Sequence, residues 1–170
     1  ACILKENGIC DGYLSLGSSS LYIFSVNSIS IRHPRRTAEL SEIIKIKDSS
    51  LKNVNISTSG DYERYYEIDN TRYCHIIDGT TGVPTQTGII SATVIGDDGV
   101  FLDALSTTLM LLNYNPNDHE NSELIQYIKS LKQENLKYFI CYGNEEKILL
   151  TNYDTDKYTL LDDSYIIKNI

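Results

Sequence analysis

The stretch GVFLDALSTTLMLLN, residues 99–113, breaks the rhythm of the chain around it. Leu102, Leu105, Leu109 and Leu112 recur at the three- and four-residue spacing that gathers side chains on one face of a helix. Asp97 and Asp98 stand just ahead, where carboxylates cap the first free N–H groups of a helix. From residue 11 on, the chain upstream comes in shorter, strand-length pieces separated by turn residues. An amphipathic helix that follows a run of strands needs a sheet face to lie on. This order predicts an α+β fold on a largely antiparallel sheet, with two main helices after the central strands.

The strand-length pieces can be followed one by one. DGYLSLGSSSLYIFSVNSISIRHP reads as short strands with turns at residues 17–20 and 27–28, and residues 40–47 as a further strand. In LKNVNISTSGDY a strand is expected to end in a Ser/Thr/Gly loop over residues 57–62. YERYYEIDNTRYCHIID reads as a hairpin turning at Asp69 and Asn70, its second arm running over residues 72–77. TGIISATVIGDDG is a strong strand and turn. A second helix is expected over residues 117–136, with Leu124, Ile125, Ile128 and Leu131 on one face, and KYFICYG and KILLTN as a closing strand pair. At the other end, ACILKENG reads as the last turns of a helix stopped by Gly8. With no repeat and no linker, residues 1–170 are expected to form one domain.

Charge narrows the function classes. The net charge of -8 disfavours a non-specific nucleic-acid binder, which needs clustered Lys and Arg. The one basic cluster, IRHPRR at residues 31–36, is closely followed by acidic residues and reads as a turn with solvated charges. Cys2, Cys10, Cys74 and Cys141 form no CxxC pair, so a zinc site is not expected and free thiols are. No apolar run reaches the ~18–20 residues that span a bilayer, and ACILKENG lacks the features of a signal peptide.

Three stretches carry residues with chemical potential. In RYCHIIDGTTGVP, strand alternation points His75 and Ile77 one way, and Cys74 and Ile76 the other. Asp78 at the strand end either turns toward the histidine or forms an Asx-turn beside a histidine satisfied in the core. In DALST, Asp103 and Thr107 lie one helical turn apart with Ser106 bordering them. That pair either shares a hard cation such as Mg²⁺ or is a solvated Asp beside a Thr bonded to its own helix. In STSGDY, Ser59 and Gly60 sit in a stretch small enough for backbone N–H groups to approach a phosphate, although a plain turn explains it as well.

Taken together and at these intervals, the stretches resemble the ApbE-like FAD:protein FMN transferases. The family pattern H-x-x-D-P-x-T-G-x-P is matched by His75, Asp78, Thr81, Gly82 and Pro84, with Gly79 in place of the first proline. Asp103, Ala104, Ser106 and Thr107 match the helix opening that follows, with Asp103 standing 28 positions after His75. GYLSLGSSSLYIFS and SISIRHP resemble two upstream family strands, GSSS replacing a glycine-glycine run, so that Ser18 is a departure from the pattern.

The resemblance implies an enzyme that transfers the FMN half of FAD to a Thr or Ser hydroxyl of an acceptor flavoprotein, releasing AMP, with Mg²⁺ required. It implies Asp103, Thr107 and Ser106 as metal ligands, and His75 with Asp78 at the catalytic position. It further implies that Ile77, Ser59, Gly60, Thr81 and Gly82 contact the flavin nucleotide. The chain opens where a typical member is about halfway through. It is therefore expected to be the C-terminal part of a transferase, whose N-terminal half would supply a further metal ligand. Such parents are often membrane-anchored extracytoplasmic lipoproteins. Hydrolysis of FAD to FMN and AMP, and a non-catalytic flavin-binding role, are the alternatives.

Overall fold

A computed structural model describes residues 1–17, 19–133, 135–143 and 146–170. The glycine-run departure at Ser18 therefore lies outside the described residues. In chain order come α1 (Cys2–Glu6), β1 (Gly12–Ser15), β2 (Ser20–Ser25), β3 (Ile29–Arg32), β4 (Glu42–Ile46), β5 (Lys52–Gly60), β6 (Tyr65–Ile68), β7 (Thr71–Cys74) and β8 (Ile89–Gly96). Then follow α2 (Gly99–Leu111), a 3-10 turn (Pro116–Asp118), α3 (Glu123–Ser130), β9 (Lys137–Gly143), β10 (Lys147–Thr151), β11 (Tyr158–Leu160) and β12 (Ile166–Asn169).

The central sheet has seven strands in the order β1-β2-β5-β8-β9-β10-β12. Every pairing in it is antiparallel except β10 with β12. On one face, Ala92 and Val94 of β8 and Ile140 of β9 pack against Leu102, Leu105 and Leu109 of α2 and Leu124, Ile125 and Ile128 of α3. On the other face, Ile95, Phe139 and Leu149 meet Ile31, Ile44 and Ile46 of a three-stranded sheet, β11-β4-β3. The α+β architecture expected from the sequence is thus a three-layer arrangement. β8 lies at its centre, with all eight of its residues buried. Among the described residues, no helix is long and apolar enough to cross a membrane.

Local chemistry sets most element ends. Asp98 caps α2 by accepting from Val100 N and Phe101 N. Asp69 and Asn70 both take positive φ, 50° and 62°, as a tight two-residue hairpin turn requires. Gly8, at φ 79°, closes α1 with its N–H donated to the Lys5 carbonyl. All four cysteines are free thiols.

Several expectations need correction. Residues 57–60 are not a loop. They complete β5, paired with β8 throughout and with β2 at Ser57, because small side chains suit a strand squeezed beneath α2. The second hairpin arm ends at Cys74 rather than residue 77, and Ile77 makes only an isolated bridge to Pro84. The second helix is shorter than residues 117–136. The 3-10 turn precedes it, and positive φ at Lys132 follows it. The short edge strands β11 and β12 carried no strong alternation and were not anticipated. The IRHPRR turn is only partly solvated, since His33 and Pro34 are buried.

Candidate functional site

The start of α2 is clamped to β5. Asn55 Nδ2 donates to the Asp97 carbonyl at 2.8 Å. A Cβ on Gly99 would come within 2.8 Å of Asn55 Oδ1, so glycine is what permits this approach. The clamp brings one face of α2 over the outward side chains of β5. Ser57 and Ser59, two residues apart on a strand, share that face.

A hydroxyl network results. Asp103 Oδ1 accepts from Ser20 Oγ and Ser57 Oγ, each at 3.0 Å. Ser59 Oγ shares hydrogen bonds with Ser106 Oγ at 2.9 Å and Thr107 Oγ1 at 3.0 Å. Ser106 is fully buried, and its hydroxyl also donates to the Asp103 carbonyl. Asp103 and Thr107 themselves are exposed. Among the described residues, Asp103 Oδ2 receives no hydrogen bond, and no three His, Cys, Asp or Glu side chains converge here or elsewhere. One free carboxylate oxygen ringed by hydroxyls is a donor set suited to a hard cation that completes its shell with water and substrate oxygens. Beside it opens a cleft of about 610 Å³, whose walls include Ser20, Asn55, Asp97, Asp98 and Asp103.

His75 belongs to a different part of this surface. It is exposed, as are Ile77 and Gly82, while Cys74 and Ile76 are buried, as strand alternation predicts. The core-histidine reading is thereby excluded. The His75 Nδ1 lies 3.3 Å from the Arg64 carbonyl, which can only accept, so in the neutral ring Nδ1 carries the proton and Nε2 the lone pair. Asp78 accepts from Thr80 N at 2.8 Å and Thr81 Oγ1 at 3.0 Å, and its carbonyl accepts from Gly82 N. These hydrogen bonds hold its carboxyl below the usual carboxylate range. Thr85 Oγ1 and Thr87 Oγ1 both donate to the Met110 carbonyl, tying the loop to the C-terminal end of α2.

The structure therefore joins Asp103, Ser106, Thr107 and Ser59 in one network, with Gly60 closing β5 against the Tyr62 ring. His75, Ile77, Asp78, Thr81 and Gly82 form a second group, and no hydrogen bond links the two among the described residues. The offset from Asp103 to Met110 is seven residues, roughly 10 Å of helix. Ser20 and Ser57 were not foreseen as partners of Asp103. Reading STSG as a strand would have paired Ser57 with Ser59 on one face, whereas the contact with Ser20 is non-local.

The sequence profile of the ApbE family matches residues 1–127. The chain belongs to the ApbE family. Among curated ApbE relatives, the FAD:protein FMN transferase of Buchnera aphidicola subsp. Baizongia pistaciae is 36% identical over 118 residues, covering 66% of this chain and 33% of the relative. That of Treponema pallidum is 34% identical over 87 residues, covering 51% of this chain and 23% of the relative. The chain thus spans well under two thirds of the length of the relatives it matches. The ApbE protein of Thermotoga maritima superposes with a TM-score of 0.58 at 28% identity, over 80% of this chain and 42% of that one. The flavin transferase ApbE of Vibrio cholerae has the same fold, with a TM-score of 0.60 at 22% identity, over 86% of this chain and 43% of that one.

Proposed function

We propose that this chain carries the metal-binding and proton-accepting parts of an FAD:protein FMN transferase. The supporting observation is the α2 cleft. A pyrophosphate approaching Asp97, Asp98 and Asp103 meets repulsion unless a cation lies between. Asp103 Oδ2 and Thr107 are the side-chain groups that would hold Mg²⁺, with buried Ser106 behind them. When bound, Mg²⁺ supplies charge neutralisation for phosphoryl transfer.

The residues have separable tasks. His75 Nε2 accepts the proton of an acceptor Thr or Ser hydroxyl as its oxygen bonds to the FMN phosphorus. The bond from that phosphorus to the bridging pyrophosphate oxygen breaks, and AMP leaves. Asp78, already accepting from two groups, shapes the 75–88 loop instead of exchanging protons. Ile77, Thr81 and Gly82 form the exposed rim along which the flavin nucleotide lies. An extended dinucleotide suits a site whose two halves are spaced along α2.

The test supplies the chain, in trans with the part of a curated relative that it does not span, with FAD, Mg²⁺ and an acceptor flavoprotein. The expected result is covalent flavin on the acceptor with one AMP released per transfer. AMP without covalent flavin would replace transfer by hydrolysis. Neither product would remove the enzymatic reading.

A further inference from the structure

All five arginines of the chain lie between residues 32 and 72. Four of them, Arg32, Arg35, Arg36 and Arg72, line one pocket of about 310 Å³ together with Tyr62 and Tyr65. No carboxylate is among the described residues lining it. It shares no lining residue with the α2 cleft.

The counter-charges lie outside the lining. Asp61 takes both terminal nitrogens of Arg35, each at 2.6 Å. Glu67 takes Arg72 at 2.9 Å, and Glu63 takes Arg32. Arg72 also lies 3.8 Å over the Tyr65 ring. These contacts hold three guanidinium planes in place with donors to spare. Arg36 is exposed and makes no ion pair or hydrogen bond among the described residues. The four guanidiniums line the pocket, whereas the carboxylates that offset them, Asp61, Glu63, Glu67 and, through His33, Asp162, are outside its lining. The loop carrying Arg35 and Arg36 is anchored from below. His33 Nδ1 accepts from Arg35 N at 2.9 Å, so the ring proton sits on Nε2, 3.0 Å from Asp162.

We propose that this pocket binds a phosphate group, as the free ion or as a nucleoside monophosphate, without a metal ion. Guanidinium forks match oxyanions in bidentate geometry. Several converging forks exceed what the two oxygens of one carboxylate accept, whereas a phosphate group presents three or four. The pocket is separate from the proposed transfer site and stands whether or not that reading holds.

Titration calorimetry in EDTA at low ionic strength, with inorganic phosphate and with AMP as probes, tests it. Saturable binding of at least one probe is expected. AMP binding no tighter than phosphate identifies the free ion, and markedly tighter AMP identifies a nucleotide; either supports the site. Arg36→Ala, which removes an unpaired exposed side chain, should weaken binding by about tenfold, as loss of one charge-assisted contact does. Arg32→Ala should weaken it similarly, while Asp103→Ala leaves it unchanged. No saturable heat with either probe up to about 10 mM, the range of very weak binding, would overturn the proposal. So would unaltered affinity in both arginine variants whose melting curves match the parent.

Discussion

The α2 cleft presents carboxylates and the arginine pocket presents guanidiniums, yet both are proposed to take a phosphate-bearing ligand. The cleft is lined by Asp97, Asp98 and Asp103, and on the proposed reading it admits phosphate only behind a cation. In the pocket, guanidiniums are the charged lining groups, and their partners Asp61, Glu63 and Glu67 are outside that lining. The cleft is built on regular elements, β5 and α2, that bury hydroxyls against one another. The pocket is built on a turn and a hairpin. A metal-dependent site gains a cation that carries charge into the reaction. A guanidinium site holds its anion in place whatever metal is present.

The sharpest way to break this contrast is Asp103→Ala. Metal-dependent binding of FAD should fall beyond detection, at least about 100-fold, because the free carboxylate oxygen nearest Thr107 on the α2 face is lost. Thermal stability should change little, since Asp103 is exposed. Retained Mg²⁺-dependent binding in calorimetry would remove Asp103 from the site. Leu109→Ala comes next. Leu109, on the sheet-facing side of α2, is fully buried, and its truncation should cost about 2–5 kcal/mol in denaturant unfolding. Conditions that loosen α2 in this variant should weaken the cleft before the arginine pocket.

Ser57→Ala is a smaller perturbation. It removes one of the two hydroxyls donating to Asp103 and should weaken Mn²⁺ binding by about 10-fold or more, as loss of a supporting hydrogen bond does. Ser57→Thr, which retains the hydroxyl, should restore it. Equal Mn²⁺ affinity in all three proteins would make Ser57 a packing residue only.

The smallest effect expected is that of acid on the pocket's anchor. Burial pushes the Asp162 carboxyl up, but hydrogen bonds from Ser164 and His33 outweigh it and hold the group at about 2. The folded value lies below the ordinary ~3.9 of an unfolded Asp. The stabilisation it gives is therefore complete above about pH 4 and is lost as pH falls through about 2. Asp162→Asn should flatten the fall in melting temperature over that window.

What could be read in the sequence follows from how local each feature is. The α2 helix, its Asp98 cap and the hairpin turn at Asp69 and Asn70 depend on neighbours within a few residues, and all were legible. So was the shared helix face of Asp103 and Thr107, which needs only helical spacing, with the Thr107 hydroxyl bonded to the Asp103 carbonyl of its own helix. Ser20 reaches Asp103 across 83 residues, and no pattern announces that contact. The STSG stretch looked like a loop because small polar residues favour turns. Only its place between β2 and β8 makes it a strand. The arginine turn looked solvated because its partners, Asp61, Glu63 and Asp162, arrive from distant segments.

On the proposed reading, the α2 cleft takes a pyrophosphate only through a cation. Calorimetry of the chain with FAD, in Mg²⁺ and again in EDTA, tests it most directly. The account predicts saturable binding with Mg²⁺ that disappears in EDTA and in Asp103→Ala. Equal FAD affinity with and without the metal would contradict it.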